Sequence, residues 1–313
     1  MTSQHTHAHG DGAHVHDHAA SSGSPDDDMT SLLDLDAEVL HDYWSAALDW
    51  VSGAADGARL LLDLGAGTGT GALGLAERFP QAEVIAVDVE PGSLARLRDK
   101  ATARGLAGRV RALEFDLDAG WPELGPLDLT WASMSLHHLA DPGRVLGDAL
   151  TATRPGGLIA VAEFAEQLRF LPADLGFGEP GFEDRLTERL GRAHAEVLPT
   201  LGSAWAPRLA DAGWAVIDER EFPIDLDPPA HPRAAEYARA WFTRLAGRFA
   251  DQLEPADQAT LAALLAADGP GASSHGLQHG LQHGLQHGLQ HGRDLRIRGT
   301  RTVTLARRPD RGR

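Results

Sequence analysis

The chain has 313 residues, 42% hydrophobic and 23% charged, enough apolar material for a sizeable core in one large α/β unit or two small ones. Its net charge of −17 disfavours nucleic acid as a partner, because a surface that tracks phosphates is basic. Zero cysteine removes disulfides, thiol nucleophiles and Cys-type zinc sites, and is compatible with the reducing cytoplasm expected as its location.

Residues 1–30 read as a disordered tail rich in His, Gly, Ser and Asp, which buries too little apolar surface to offset its chain entropy. The tail has neither the basic start nor the apolar stretch of a secretory signal, and no apolar run in the chain is long enough to span a bilayer. His5, His7, His9, His14, His16 and His18 can bind metal loosely, yet no metal is required, since a defined site needs fixed geometry and outer-shell support. Residues 31–58 are expected to pack a helix on the core. From Asp34 to Val51, Leu35, Val39, Tyr43, Trp44, Leu48 and Val51 recur at three- and four-residue steps.

A core segment follows at 59–165. Leu60, Leu61, Leu62 and Leu64 form a short apolar run suited to a central strand buried on both faces. Gly65, Gly67, Gly69 and Gly71 then open a turn in which a ligand can lie against bare backbone, and helical spacing resumes at Leu73, Leu75, Ala76 and Phe79. A ligand site at the carboxyl end of this first strand is the direct inference. A phosphate-cradling P-loop is excluded, because no Lys-Ser or Lys-Thr closes the loop and Lys100 is the only lysine. A dinucleotide register, Gly69-x-Gly71-x-x-Gly74, starts well past the strand end. The next strand, Ala82 to Val89, ends at Asp88, about 20 residues past the loop, where a carboxylate can accept both hydroxyls of a ribose.

The register that does begin at the strand end, Asp63-x-Gly65-x-Gly67-x-Gly69, resembles motif I of the class I S-adenosylmethionine-dependent methyltransferases. More of the chain is similar to that family. Val110 to Phe115 runs into Asp116-Leu117, Leu127 to Ala132 runs into Ser133-Met134-Ser135-Leu136-His137-His138-Leu139, and Arg154-Pro155-Gly156-Gly157 leads into a fifth strand, LIAVAEF. The likeness covers about 60–164 and points to the small-molecule, type 11/12-like branch. It implies a doubly wound, Rossmann-like, seven-stranded α/β sheet, mostly parallel with an antiparallel last strand, plus helical cap additions. It implies S-adenosylmethionine as cofactor, held by Asp63, Gly65, Ala66, Gly67, Gly69, Asp88, Val89, Asp116, Leu117 and Ser133. Asp116 would take the adenine amino group, Leu117 would pack on the ring, and Asp63 would orient the loop and sense the methionine amino group. An N-terminal helix in related enzymes lids the cofactor, so Tyr43, Trp44 and His138 are candidates for substrate or lid contacts, with core packing as the alternative for the two aromatics.

Residues 166–212 are expected as a helical cap or substrate region, with Phe182, Leu186, Leu190, Ala193 and Val197 on one helix and Trp205 and Leu209 on another that ends at Gly213. Residues 213–313 supply the late strands, from Trp214 towards Phe222 and from Arg301 to Arg307. The latter matches the strand that the family inserts antiparallel, expected here at the sheet edge. Between them comes a helix bearing Tyr237, Trp241, Leu245 and Phe249. An HGLQ repeat at 269–293 reads as a surface loop, because a glycine every four residues costs a helix about 1 kcal/mol each.

Methyl transfer needs above all a nucleophile held in line with an activated methyl group. Where the nucleophile arrives protonated, His137 or His138 is the candidate base, at most one of the two, with Glu163 and His194 behind them. The acceptor is expected to be a small molecule, with neither nucleic acid nor membrane as partner. A cofactor- or metal-binding protein without turnover, and a nicotinamide-dependent oxidoreductase, are the alternatives.

Overall fold

A computed structural model describes residues 25–197, 200–227, 231–265 and 295–310. The six-histidine tail and the HGLQ repeat lie outside the described residues. Among the described residues the strands form one seven-stranded sheet in the order β3-β2-β1-β4-β5-β7-β6, where β1 is Leu60–Leu64, β2 Glu83–Asp88, β3 Val110–Glu114, β4 Leu127–Ser133, β5 Thr153–Arg169, β6 Ala215–Leu226 and β7 Ile297–Arg307. Strands β1 to β5 pair in parallel, and β7 runs antiparallel to both β5 and β6. The antiparallel strand therefore lies inside the sheet, and β6 is the edge, contrary to the expectation for Arg301 to Arg307.

The sheet is buried on both faces because its central strands carry apolar side chains in both directions. Leu61 joins one core with α2 (His41–Ala54), α3 (Thr70–Arg78) and α4 (Pro91–Ala103). Leu62 and Leu64 join the other with α5 (Pro142–Ala152) and α7 (Trp205–Asp211). Helix α7 was expected in the cap. Trp205 and Leu209 instead bury it against the sheet layer, and Gly213, at φ +96°, ends it as foreseen. A second group of helices, α6 (Phe182–Val197), α8 (Ala234–Phe249) and α9 (Pro255–Leu265), gathers on Phe170, whose ring meets Tyr237 and Phe242 edge-on. Strand β5 continues to Arg169, so the boundary expected at 165 falls inside a strand.

The expected single helix from Asp34 to Val51 is two. Helix α1 spans Pro25–Val39, α2 starts at His41, and Leu40 between them leaves helical geometry (φ −98°, ψ 27°). Val39, Leu40 and Tyr43 are all buried at the bend. The apolar spacing runs unbroken across the bend, so periodicity alone could not reveal it. Helix α1 also begins inside the expected tail. Proline followed by acids suits a first helical turn, where no N–H partner is needed and the dipole favours negative charge. Among the described residues no helix is long and apolar enough to cross a membrane.

Candidate functional site

Strands β1 and β4 lie side by side while their connections lead to opposite halves of the sheet. The crevice at their carboxyl ends is thus the switch point where open α/β sheets bind ligands. Gly65 turns the chain out of β1 at φ +69°, and a Cβ there would come within 2.3 Å of Cβ of Ser135, whose hydroxyl donates to the Leu64 carbonyl at 2.7 Å. The loop is held from the next strand: Asp88 Oδ2 accepts the Gly67 N–H at 2.7 Å and Oδ1 accepts the Glu90 N–H at 2.9 Å. Asp88 thus takes part in orienting the loop, the task expected of Asp63.

Asp63 is left with a different character. It is buried, and its Oδ2 has no hydrogen-bond partner among the described residues. Burial pushes its carboxyl up to about 7, against a hydrogen bond from the Ala72 backbone and with the help of the nearby Asp88 charge. A carboxylate in such a place is completed by a ligand that brings a donor or a positive charge.

A cavity of about 490 Å³ opens over this loop. Asp63, Gly65, Ala66, Gly67, Asp88, Val89, Asp116, Leu117 and Ser133 line it, as do Trp44 and His138. Gly69 does not. Its φ of +88° starts α3, and a Cβ would strike Leu97 of α4 at 2.5 Å, so the residue serves close packing. Tyr43 lies behind the cavity wall among aromatic rings, 6.2 Å from Phe222 and 5.6 Å from Trp44. His137 also faces away from the cavity: it is 4% exposed, with Nδ1 2.7 Å from Glu163 Oε2. Of the two histidines only His138 meets the cavity. His194 lies in α6 at a position whose side chain is outside the described residues.

No sequence signal pointed to the roof of the cavity. Met29, Leu33 and Asp36 on α1 line it at a helical spacing that fell partly within the presumed tail. Asp34, on the same helix, accepts from Thr68 Oγ1 at 2.8 Å, Lys100 Nζ at 2.7 Å and Arg96 Nε at 2.8 Å, clamping α1 to the glycine loop and to α4. Burial raises its pKa, but those three hydrogen bonds outweigh burial and hold the carboxyl below its usual range. Met134, at the end of β4, is the one non-glycine residue at positive φ (57°) among the described residues, and it also lines the cavity. Such backbone strain is found where a chain is fixed around a ligand.

The groups present fit S-adenosylmethionine: Asp63 has an open acceptor suited to an ammonium, Asp88 retains lone pairs suited to ribose hydroxyls, and Asp116 and Leu117 line the same cavity. The sheet order is that of the Rossmann-like methyltransferase fold. Residues 61–157 match the family model described as "Methyltransferase domain", so this segment is a methyltransferase domain of the class I, S-adenosylmethionine-dependent type. Among curated proteins it is similar to a demethylmenaquinone methyltransferase of Thermus thermophilus, with 40% identity over 127 residues, 39% of this chain and 56% of the relative. It is also similar to a trans-aconitate 2-methyltransferase of Methylobacterium radiotolerans, with 30% identity over 188 residues, 60% of this chain and 63% of the relative. The alignment with each of these two thus spans less than two thirds of the relative's length. The fold resembles that of a solved protein, BH2331 of Bacillus halodurans, at a TM-score of 0.51 and 16% identity, covering 85% of this chain and 99% of that one.

Proposed function

We propose that the protein transfers the methyl group of S-adenosylmethionine to a nucleophilic atom of a small-molecule acceptor. The observation that carries this is Asp63, a buried carboxylate with an open oxygen at the floor of the switch-point cavity, beside a glycine loop already tied in place by Asp88. The methyltransferase-domain match, and relatives named for quinone and trans-aconitate methylation, support the reaction class and a small acceptor.

The cofactor supplies a methyl group activated on sulfonium sulfur: one bond forms from the acceptor to the methyl carbon, and the carbon–sulfur bond breaks with its electron pair kept by sulfur. The chain's own residues bind and orient. Asp63 would hold the ammonium, Asp88 the ribose, and Asp116 and Leu117 the adenine edge and face, while Met29 and Leu33 line the cavity from α1. His138 is the candidate to receive a proton from an un-ionised nucleophile. His137, held by Glu163, is a positioning residue beneath it, the two rings 4.1 Å apart. The absence of cysteine fits action in a reducing cytoplasm.

Calorimetric titration of S-adenosylhomocysteine into the wild type and Asp88→Ala, with chelator present to silence the histidine tracts, tests the proposal. Micromolar binding that weakens at least tenfold in the variant is expected. A folded wild type that does not bind overturns it.

A further inference from the structure

At the cavity wall, level with the end of β4, lies a group of polar side chains, of which Ser133 lines the cavity and Tyr43, Glu163 and Arg301 stand behind it. Arg301 on β7 is 3% exposed, and its Nε and Nη1 have no hydrogen-bond partner among the described residues. Tyr43 Oη, Ser133 Oγ and Glu163 Oε1 are in the same condition. The sheet sets them level along its strands, with Ser133 opposite Ala162, Glu163 opposite Thr302 and Phe164 opposite Arg301, although Glu163 and Phe164, as successive strand residues, leave β5 on opposite faces. The Tyr43 hydroxyl is their common neighbour. Burial raises its pKa, Arg301 lowers it, Asp36 and Glu163 raise it further, and Ser133 lies beside it short of a well-formed hydrogen bond. A buried guanidinium with two idle donors is costly unless something completes it. Here the Phe164 ring, 4.1 Å from the guanidinium carbon, covers one face, and the nearest carboxylate, Asp36 Oδ1, stands 3.7 Å from Nη2.

We propose that Arg301, Tyr43, Ser133 and Glu163 form the acceptor subsite, and that it takes an anionic oxygen nucleophile, a carboxylate or an acidic phenol or enol. The group is donor-rich: guanidinium N–H groups and two hydroxyls outnumber the single open carboxylate oxygen of Glu163, so a ligand bringing oxygen lone pairs satisfies it and a cationic amine does not. Asp36 connects subsite and cavity. It lines the cavity, accepts the Trp44 indole N–H at 3.0 Å and the Tyr237 hydroxyl at 2.7 Å, and offers Arg301 a carboxylate at a distance too long for a good ion pair. An incoming anion takes the place opposite Arg301 that Asp36 holds loosely. A nucleophile bound as its anion needs no base, so methyl transfer to it moves no proton.

This inference rests on the methyltransferase reading, and the experiment separates the two. Protein saturated with S-adenosylhomocysteine is titrated with benzoate and trans-aconitate as carboxylates, 4-nitrophenol as an acidic phenol, and benzylamine and benzyl alcohol as controls. Binding is followed by saturation-transfer NMR and by the Arg301 Nε–H resonance of ¹⁵N-labelled protein. Expected are binding of at least one acid but of neither control, a shifted Arg301 resonance, at least tenfold weaker binding in Arg301→Gln and Tyr43→Phe, and severalfold tighter binding in Asp36→Asn, with S-adenosylhomocysteine affinity unchanged in Tyr43→Phe. Whether the carboxylates or the phenol binds identifies the acceptor oxygen. Binding of the amine or alcohol instead, binding by none of the acids, or equal affinity in the variants overturns the inference. Failure of S-adenosylhomocysteine itself to bind overturns the methyltransferase reading.

Discussion

The two halves of the crevice are built on opposite plans. On the β1–β2–β3 side the polar groups are largely committed: Asp88 holds the loop, Asp116 Oδ1 accepts the Asp118 N–H at 2.9 Å, and Asp34 fastens the roof. On the β4–β5–β7 side Tyr43, Ser133, Glu163 and Arg301 each keep a buried polar atom without a partner among the described residues. A half that receives the same ligand throughout a family can be organised in advance by its own backbone, and a half that must suit one acceptor keeps its donors in reserve. Asp63 is the exception on the first side, and its open oxygen is where the ammonium is expected.

The sharpest attack on this contrast is the charge reversal of effect between Arg301→Gln and Asp36→Asn. The first should weaken acid binding at least tenfold and the second should strengthen it, a pair of outcomes that loss of packing cannot produce. Next comes Asp63→Asn. With its carboxyl raised to about 7, the folded state holds a proton that the unfolded state releases near pH 4, so the wild type loses stability as pH rises from about 4 to 7. The amide should therefore be more stable than the wild type by about 2–4 kcal/mol at pH 8, with no gain at pH 4, as thermal melts across pH will show. The same variant should bind S-adenosylhomocysteine at least tenfold more weakly.

A smaller effect is expected at the roof. Asp34→Ala removes three hydrogen bonds, two of them to cations, and should cost about 1–3 kcal/mol, seen as faster hydrogen exchange in α1 and severalfold weaker cofactor binding. Because the Asp34 pKa is depressed, that contribution is present above about pH 4 and fades as pH falls through the folded value. The finest test is proton counting. If an ammonium docks on Asp63, binding at pH 7 releases up to about half a proton, and the calorimetric enthalpy then varies with the ionisation enthalpy of the buffer. An enthalpy indifferent to buffer would remove the ammonium from Asp63.

The difference between the halves also explains what was legible beforehand. The family sheet and the glycine loop are written in contiguous residues: Leu60–Leu64 alternates between two cores, and Asp63, Gly65 and Asp88 fall at intervals fixed by strand, turn and helix. The bend at Leu40 and the roof residues Met29, Leu33 and Asp36 escaped, because an unbroken apolar period hides a break and a run of aspartates resembles a tail. Helix α9 escaped as well, its short alanine- and leucine-rich run carrying little amphipathic signal. Arg301 could not be singled out at all. Its meaning comes from Tyr43, Ser133 and Glu163, residues far apart in sequence that only the sheet pairing brings level.

The sheet order has a further consequence, for the sequence of folding events. Among the described residues strand β6 has no neighbour except β7, yet β7 comes 71 residues after it, at Ile297 against Leu226. Until β7 docks on β5, β6 has no ladder to join. The acceptor half of the crevice therefore closes in a single non-local step, late relative to the local β1–α3–β2 units. Amide protection in β6 can then never exceed that in β7, and a lesion anywhere in β7 unseats two strands where it touches one.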